Sequence, residues 1–185
     1  MPDPERLIGV ISDSHGRLEP VRAAIARLRG RGIDTLVHCG DVGTGANGRL
    51  VLDELAAANH EVAVAFVWGN TDHDADELAT YARHLGLDLH GHALQLDVAG
   101  KRVGVTHGHL RRPFGDAGPV PPLDYLLSGH SHVVHDRRDG PTRLLNPGAL
   151  HRCPVKTAAT LDVVEDRWHV LEVDLSAPAA GPSRK

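Results

Sequence analysis

With 24 Asp and Glu against 20 Lys and Arg in 185 residues, the chain carries a formal net charge of -4, which excludes a global positive field for gripping an extended nucleic-acid polymer. The length suits one compact domain, expected over residues 1–175, able to bury roughly 70% of the surface its unfolded chain exposes. The first six residues are charged and proline-bearing, and no apolar run nears the roughly 20 residues that span a bilayer. These features predict a cytoplasmic protein without membrane contact, and they are silent on oligomeric state.

Residues 7–12 (LIGVIS) form an apolar, β-branched run that ends in the polar turn Asp13-Ser14-His15-Gly16, the pattern of a buried strand feeding a loop. Residues 19–29 then place Val21, Ile25 and Leu28 at helical spacing. A second strand over 35–39 leads through a loop at 40–48 to a helix over 49–58, and a third strand over 62–68 leads to a helix over 74–85. Three βα units in succession imply parallel strands with right-handed crossovers, so their polar carboxyl ends share one edge. Open α/β sheets bind their ligands at that edge.

After Gly86 the rhythm changes. Residues 94–98 and 102–106 around Ala99-Gly100 predict a hairpin, and 125–128, 143–145, 158–163 and 168–173 predict further short strands. The stretch 111–122, with four prolines and two glycines, reads as a loop. The Ala, Pro and Ser composition of 176–185 predicts a disordered tail.

Cys39 and Cys153 lie far apart without CxxC spacing, so they predict reduced core thiols and neither a disulfide framework nor a zinc-thiolate site. Fourteen histidines are an unusual stock, because imidazole joins metal-ligand chemistry to titration near physiological pH. His60, His84, His90, His135 and His169 fall in polar or amphipathic stretches and read as solvated or locally bonded. The others that matter fall at strand ends. Asp13-Ser14-His15-Gly16, Gly40-Asp41, Gly69-Asn70-Thr71-Asp72, His107-Gly108-His109 and Gly129-His130-Ser131-His132 each follow an apolar run. They supply carboxylate, imidazole and amide oxygen, ligands suited to Mn, Fe, Zn or Ni, and their glycines allow close backbone approach.

All five clusters in this order resemble the calcineurin-like metallophosphoesterase superfamily, and within it the small YfcE-type bacterial and archaeal phosphodiesterases. The resemblance runs from Leu7 to about Val173, and Asn146-Pro147-Gly148 is similar to the loop that follows the last ligand strand in that branch. It implies a four-layer α/β/β/α sandwich, two mixed sheets face to face with flanking helices. It implies two divalent ions, manganese first with nickel, iron or zinc as alternatives. Asp13, His15 and His132 would hold one, Asn70, His107 and His130 the other, and Asp41 both. The implied reaction is hydrolysis of a small phosphorylated substrate by a hydroxide bridging the ions.

Larger members of the superfamily carry a histidine after Gly-Asn that protonates the leaving oxygen, whereas this chain has Thr71, as the small branch commonly does. General-acid help then falls to Asp72, His73, His109 or water, which favours diesters and activated esters over alkyl monoesters. His109 is also a candidate for contacting substrate phosphate or steadying a ligand. Arg111 and Arg112 could grip phosphate oxygens or remain solvated.

Two other functions compete. Related scaffolds in eukaryotic membrane-coat assemblies resemble this fold and act by binding partners, but their ligand positions are altered, whereas here each is filled. Gly43-Thr44-Gly45-Ala46-Asn47-Gly48 matches GxGxxG between a strand and a helix, with Asp72 further on, a dinucleotide fingerprint that would make an NAD-dependent oxidoreductase. That reading leaves His15, His107, His130 and His132 without a task.

Overall fold

The computed structural model describes residues 6–176 except 89, 117 and 120. The expected tail beyond Ser176 lies outside the described residues. Ten strands form two five-stranded sheets. In the first, β1 (Leu7–Ile11), β2 (Thr35–His38) and β3 (Ala63–Phe66) run parallel, and β9 (Thr157–Asp162) and β10 (Arg167–Glu172) extend it antiparallel beside β1. In the second, β5 (Lys101–Thr106), β6 (Tyr125–Leu127) and β8 (Thr142–Asn146) run parallel, flanked by antiparallel β4 (Ala93–Val98) and β7 (His135–Asp139). Each sheet therefore has three parallel strands whose carboxyl ends are followed by one of the polar clusters or by Asn146-Pro147-Gly148.

Two apolar layers hold these parts. Alternation along the strands sends Ile8, Val10, Val37 and Val67 toward Val103, Val105, Leu127 and Leu145 between the sheets. The opposite face of the first sheet, with Ile11, Leu36 and Phe66, packs on α1 (Leu18–Arg29), α2 (Gly45–Ala58) and α3 (Ala75–His84). All three helices contribute to this layer. Helical spacing explains their buried stripes: Val21, Ile25 and Leu28 in α1, and Val51, Leu52 and Leu55 in α2. Each such side chain, fully buried, contributes about 1.5–3 kcal/mol.

The parallel βα half and the β4–β5 hairpin match expectation, and Ala99 and Gly100 turn that hairpin with φ of 47° and 75°. Two elements differ. The α2 helix begins at Gly45, not residue 49, with Gly48 N–H donating to the Thr44 carbonyl at 2.9 Å; Gly48 also seats against the Gly43 carbonyl, a place no Cβ could share (2.7 Å). The β7 strand was not expected at all: its sequence, HDRRD, has no apolar residue to give an alternating signal. It is held by its ladder with β8, and its charges suit an edge strand by discouraging further pairing. Cys39 lies in the core as expected, but Cys153 is only half-buried; both are free. Among the described residues, no helix is long and apolar enough to cross a membrane.

Candidate metal centre

The loops after β1, β2, β5 and β6 are tied to one another before any ligand is considered. Asp13 N–H donates to the Gly40 carbonyl at 3.0 Å, His15 N–H to Asp41 at 2.8 Å, and Gly129 N–H to His107 at 3.0 Å. Asp13, His15, Asp41, His130 and His132 all adopt left-handed backbone, with φ between 45° and 66°. Such conformations cost of order 1–3 kcal/mol each and persist where the surroundings enforce them. Asp and His tolerate them better than most residues, and here they bend each chain at the point where a polar side chain turns inward.

Asp13 and Asp41 each spend one carboxylate oxygen on the scaffold and present the other. Asp13 Oδ2 accepts from Ser12 Oγ at 2.6 Å and from the His130 N–H at 3.1 Å, joining the two sheets. Its Oδ1 is buried without a hydrogen-bond partner and faces His132 Nε2 at 3.1 Å and His107 Nε2 at 4.0 Å. Asp41 Oδ1 accepts from the Thr71 N–H at 2.9 Å, while Oδ2 faces His107 Nε2 at 3.4 Å and His15 Nε2 at 3.6 Å.

The imidazoles follow the same rule. A carbonyl can only accept, so His107 Nδ1 carries the proton it donates to Cys39 O at 2.9 Å; Nε2, which is bare whenever the ring is neutral, is turned toward Asp41 and toward Asn70 Oδ1 at 3.1 Å. Metal-bound histidines are commonly oriented in this way. His15 Nδ1 lies 3.3 Å from Thr71 Oγ1, and its Nε2 lies 3.5 Å from His132 Nε2. In rings protonated at Nδ1, lone pairs thus face lone pairs. Only a cation, a proton or a metal ion, relieves such a set.

The electrostatics agree. Burial opposes charge on His107, but Asp41, Asp13 and the Cys39 carbonyl outweigh it and raise the ring's pKa. Burial alone would raise the Asp41 carboxyl, yet His107 and the Thr71 N–H hold it well below the usual carboxylate range. Burial raises Asp13 and lowers His15 to about 4, with Arg152, His132 and His151 adding to the effect.

The donors fit divalent ions. Those of Asp13, His15 and His132 lie within 4.8 Å of one another, as do those of Asp13, Asp41 and His107. The structure thus brings Asp13 toward both groups. His130 is exposed, its ring 5.1 Å from that of His107, and Asn70 reaches His107 through its amide oxygen.

The other expected residues divide. His109 lies beside the cluster, its ring 5.4 Å from His107. His73 lines a cavity with His15. Asp72 takes no part in the cluster: its carboxylate accepts the N–H groups of Gly69 at 2.7 Å, Gly43 at 2.9 Å and Val42 at 3.3 Å, fastening the loops after β2 and β3. This also accounts for the glycine-rich match, since Gly43 packs on the Gly16 backbone and Gly48 on Gly43, leaving the glycines to loop packing. Arg112 pairs with Asp116, and Arg111 and Arg112 line a cavity with Phe114, Leu126 and Leu144, away from the cluster. His60, His84 and His169 are exposed, and His90 and His135 half-buried.

Several neighbours went unnoticed in the sequence. His38 is fully buried: Gly40 N–H donates to its Nδ1 at 3.2 Å, so the neutral ring carries its proton on Nε2 and donates to Ser14 Oγ at 2.9 Å. His92 packs 5.4 Å from His109, and His151 lies 5.7 Å from His15 with Arg152 next to it in the chain. His151 and Arg152 follow Asn146-Pro147-Gly148 closely, a signal that could have found them; His92 carried none.

Fold and cluster together define an α/β protein of the metallo-dependent phosphatase class. Residues 7–166 match the calcineurin-like phosphoesterase superfamily domain, and the chain belongs to that superfamily. It is 33% identical to a probable metallophosphoesterase of Methanocaldococcus jannaschii over 174 residues, covering 87% of this chain and 77% of that relative. Its fold is similar to that of an archaeal phosphodiesterase, with a TM-score of 0.75 and 21% identity over 90% of this chain and 99% of the other. It is also similar to the E. coli phosphoesterase Yfce, with a TM-score of 0.65 and 23% identity over 91% and 100%.

Proposed function

We propose that the chain is a metal-dependent phosphodiesterase in which Asp13, His15 and His132 hold one divalent ion, Asn70, His107 and His130 hold a second, and Asp41 serves both. The observation that carries this reading is the convergence of Asp13 Oδ1 and Asp41 Oδ2 on His107 Nε2, at 4.0 and 3.4 Å, with the companion atoms of all three committed to the scaffold. Imidazole, carboxylate and amide oxygen suit manganese first, with nickel, iron or zinc as alternatives. Bound divalent ions supply Lewis acidity toward a phosphoryl oxygen and a water acidic enough to serve as nucleophile near neutral pH.

The chain's own contribution is orientation. Asp41 lies between His15 and His107 and suits a shared ligand. His109 is our candidate for meeting the leaving oxygen or a phosphate oxygen, since Asp72 is occupied and His73 stands on the His15 side. Burial and the neighbouring His107 lower the pKa of His109, which reduces the protonated fraction that could serve the leaving oxygen. That favours diesters with good leaving groups, and a small substrate suits a chain of net negative charge.

A phosphoester panel assayed with added Mn, Ni, Zn or Mg tests the proposal. Turnover of a bis-nitrophenyl phosphodiester with Mn or Ni, abolished by excess chelator, is expected. Full activity in excess chelator would overturn metal dependence, and elemental analysis that never exceeds one ion per chain would remove the second site.

A further inference from the structure

Beside the cluster, on the His15 side, a cavity of about 400 Å³ is lined by His15, Gly43, Thr44, Thr71, His73 and Arg152. That volume is in the range of sites for small molecules and exceeds what a lone oxyanion needs. Its cation is Arg152, which is exposed, holds left-handed backbone with φ of 54°, and forms no ion pair among the described residues. Other exposed arginines without an ion pair among the described residues, such as Arg27 and Arg137, do not line this cavity. Asp13 and Asp41, the carboxylates of the adjoining cluster, are directed at the histidines. A strained backbone that sets a guanidinium beside a proposed cation site is electrostatically unfavourable until an anion lies between them.

We propose that the Arg152 pocket binds an anionic group of the substrate other than the scissile phosphate. The preferred substrates are then small phosphoesters that carry a second phosphate a few bonds away. This rests on reading the cluster as the phosphoester-hydrolysing centre. The guanidinium supplies a planar, permanently charged fork matched to two phosphate oxygens, while His73 and the Thr44 hydroxyl offer further polar contacts on the same wall. His15 borders both the cluster and the pocket, so the pocket adjoins the proposed metal centre.

Two nitrophenyl diesters of equal length test this, one whose other arm is a propyl chain ending in hydroxyl and one ending in phosphate. With wild type, kcat/KM should favour the phosphate-ended ester by about tenfold or more, carried by KM, as expected for a charge-assisted contact. In Arg152→Ala the ratio should fall to near one, and Arg152→Lys should restore part of it. Calorimetric binding of propane-1,3-diyl bisphosphate against propyl phosphate gives a second readout that needs no turnover: tighter binding of the bisphosphate to wild type, lost in Arg152→Ala. If wild type hydrolyses neither ester while still preferring the bisphosphate in binding, the catalytic reading fails and the pocket stands. No preference in binding, or equal loss for both ligands in Arg152→Ala, would overturn the pocket assignment.

Discussion

Gly69 lies so close to Asp41 that the Asp41 carboxylate occupies the place a Cβ would take. The contact holds the loop after β3 against the loop after β2. Gly69→Ala must push either Asp41 or the Asn70 loop aside, and displacing a reacting group by about 1 Å can cost about 10²-fold in rate. Metal content and kcat/KM of Gly69→Ala are therefore expected to fall together. Native values of both would show that the loops accommodate a methyl group there.

Asp41→Asn should be more damaging than loss of any single terminal ligand. Its Oδ2 faces both His15 and His107, so removing its charge weakens two positions at once. His15→Ala perturbs one, where water is able to substitute. Metal stoichiometry measured alongside turnover, with His109→Ala as a variant expected to keep its metals, separates these roles. Two ions and near-native rate in Asp41→Asn would remove it as the shared ligand.

Divalent ions that bind the folded chain and not the unfolded one add stability by mass action, about 2.7 kcal/mol at a hundredfold excess over Kd. For a chain of this size that corresponds to a rise in Tm of about 5–10 °C. Thermal melts with Mn or Ni and with chelator check this; coincident melts would argue against tight binding.

Asp72→Ala should act on stability and leave the shape of the pH–rate profile alone. The substitution strands the N–H groups of Gly43, Gly69 and Val42, at a cost of about 2–4 kcal/mol. Urea midpoints give the stability loss. A lost limb of the pH–rate profile, with stability intact, would return Asp72 to proton transfer.

Burial holds His38 at a pKa of about 3 and His15 at about 4, below the ordinary 6.5. Below pH 6.5 the unfolded chain takes up protons on both rings that the folded chain refuses. The contribution of these two rings to the stability of the metal-free protein is thus fully present above pH 6.5 and falls as pH drops toward 4, by up to about 1.4 kcal/mol per pH unit per ring. In His38→Gln the loss between pH 7 and pH 5 should shrink by about 1–2 kcal/mol, read from denaturant titrations at the two values. An unchanged loss would mean that His38 takes up its proton in the folded state.

The sequence by itself determined the strand ends and the chemistry placed there. Apolar runs such as LIGVIS stop at Asp13 and His15 because buried strands and polar turns differ sharply in composition, so ligand-type residues stood out at five boundaries. Helical spacing likewise announced α1 and α3 to within a residue or so. What only the tertiary structure decided was which polar atoms are spent. Asp13, Asp41 and Asp72 all follow strands, yet Asp72 is consumed by backbone donors while the other two keep an oxygen directed at the cluster. That difference depends on loops brought together from distant parts of the chain. The same is true of β7, whose charged residues carry no pattern and are ordered by pairing with β8. It is true of His38 and Arg152 as well, whose surroundings come from the neighbours that folding provides: a core that strips water from one ring, and a cavity beside His15 that Arg152 lines.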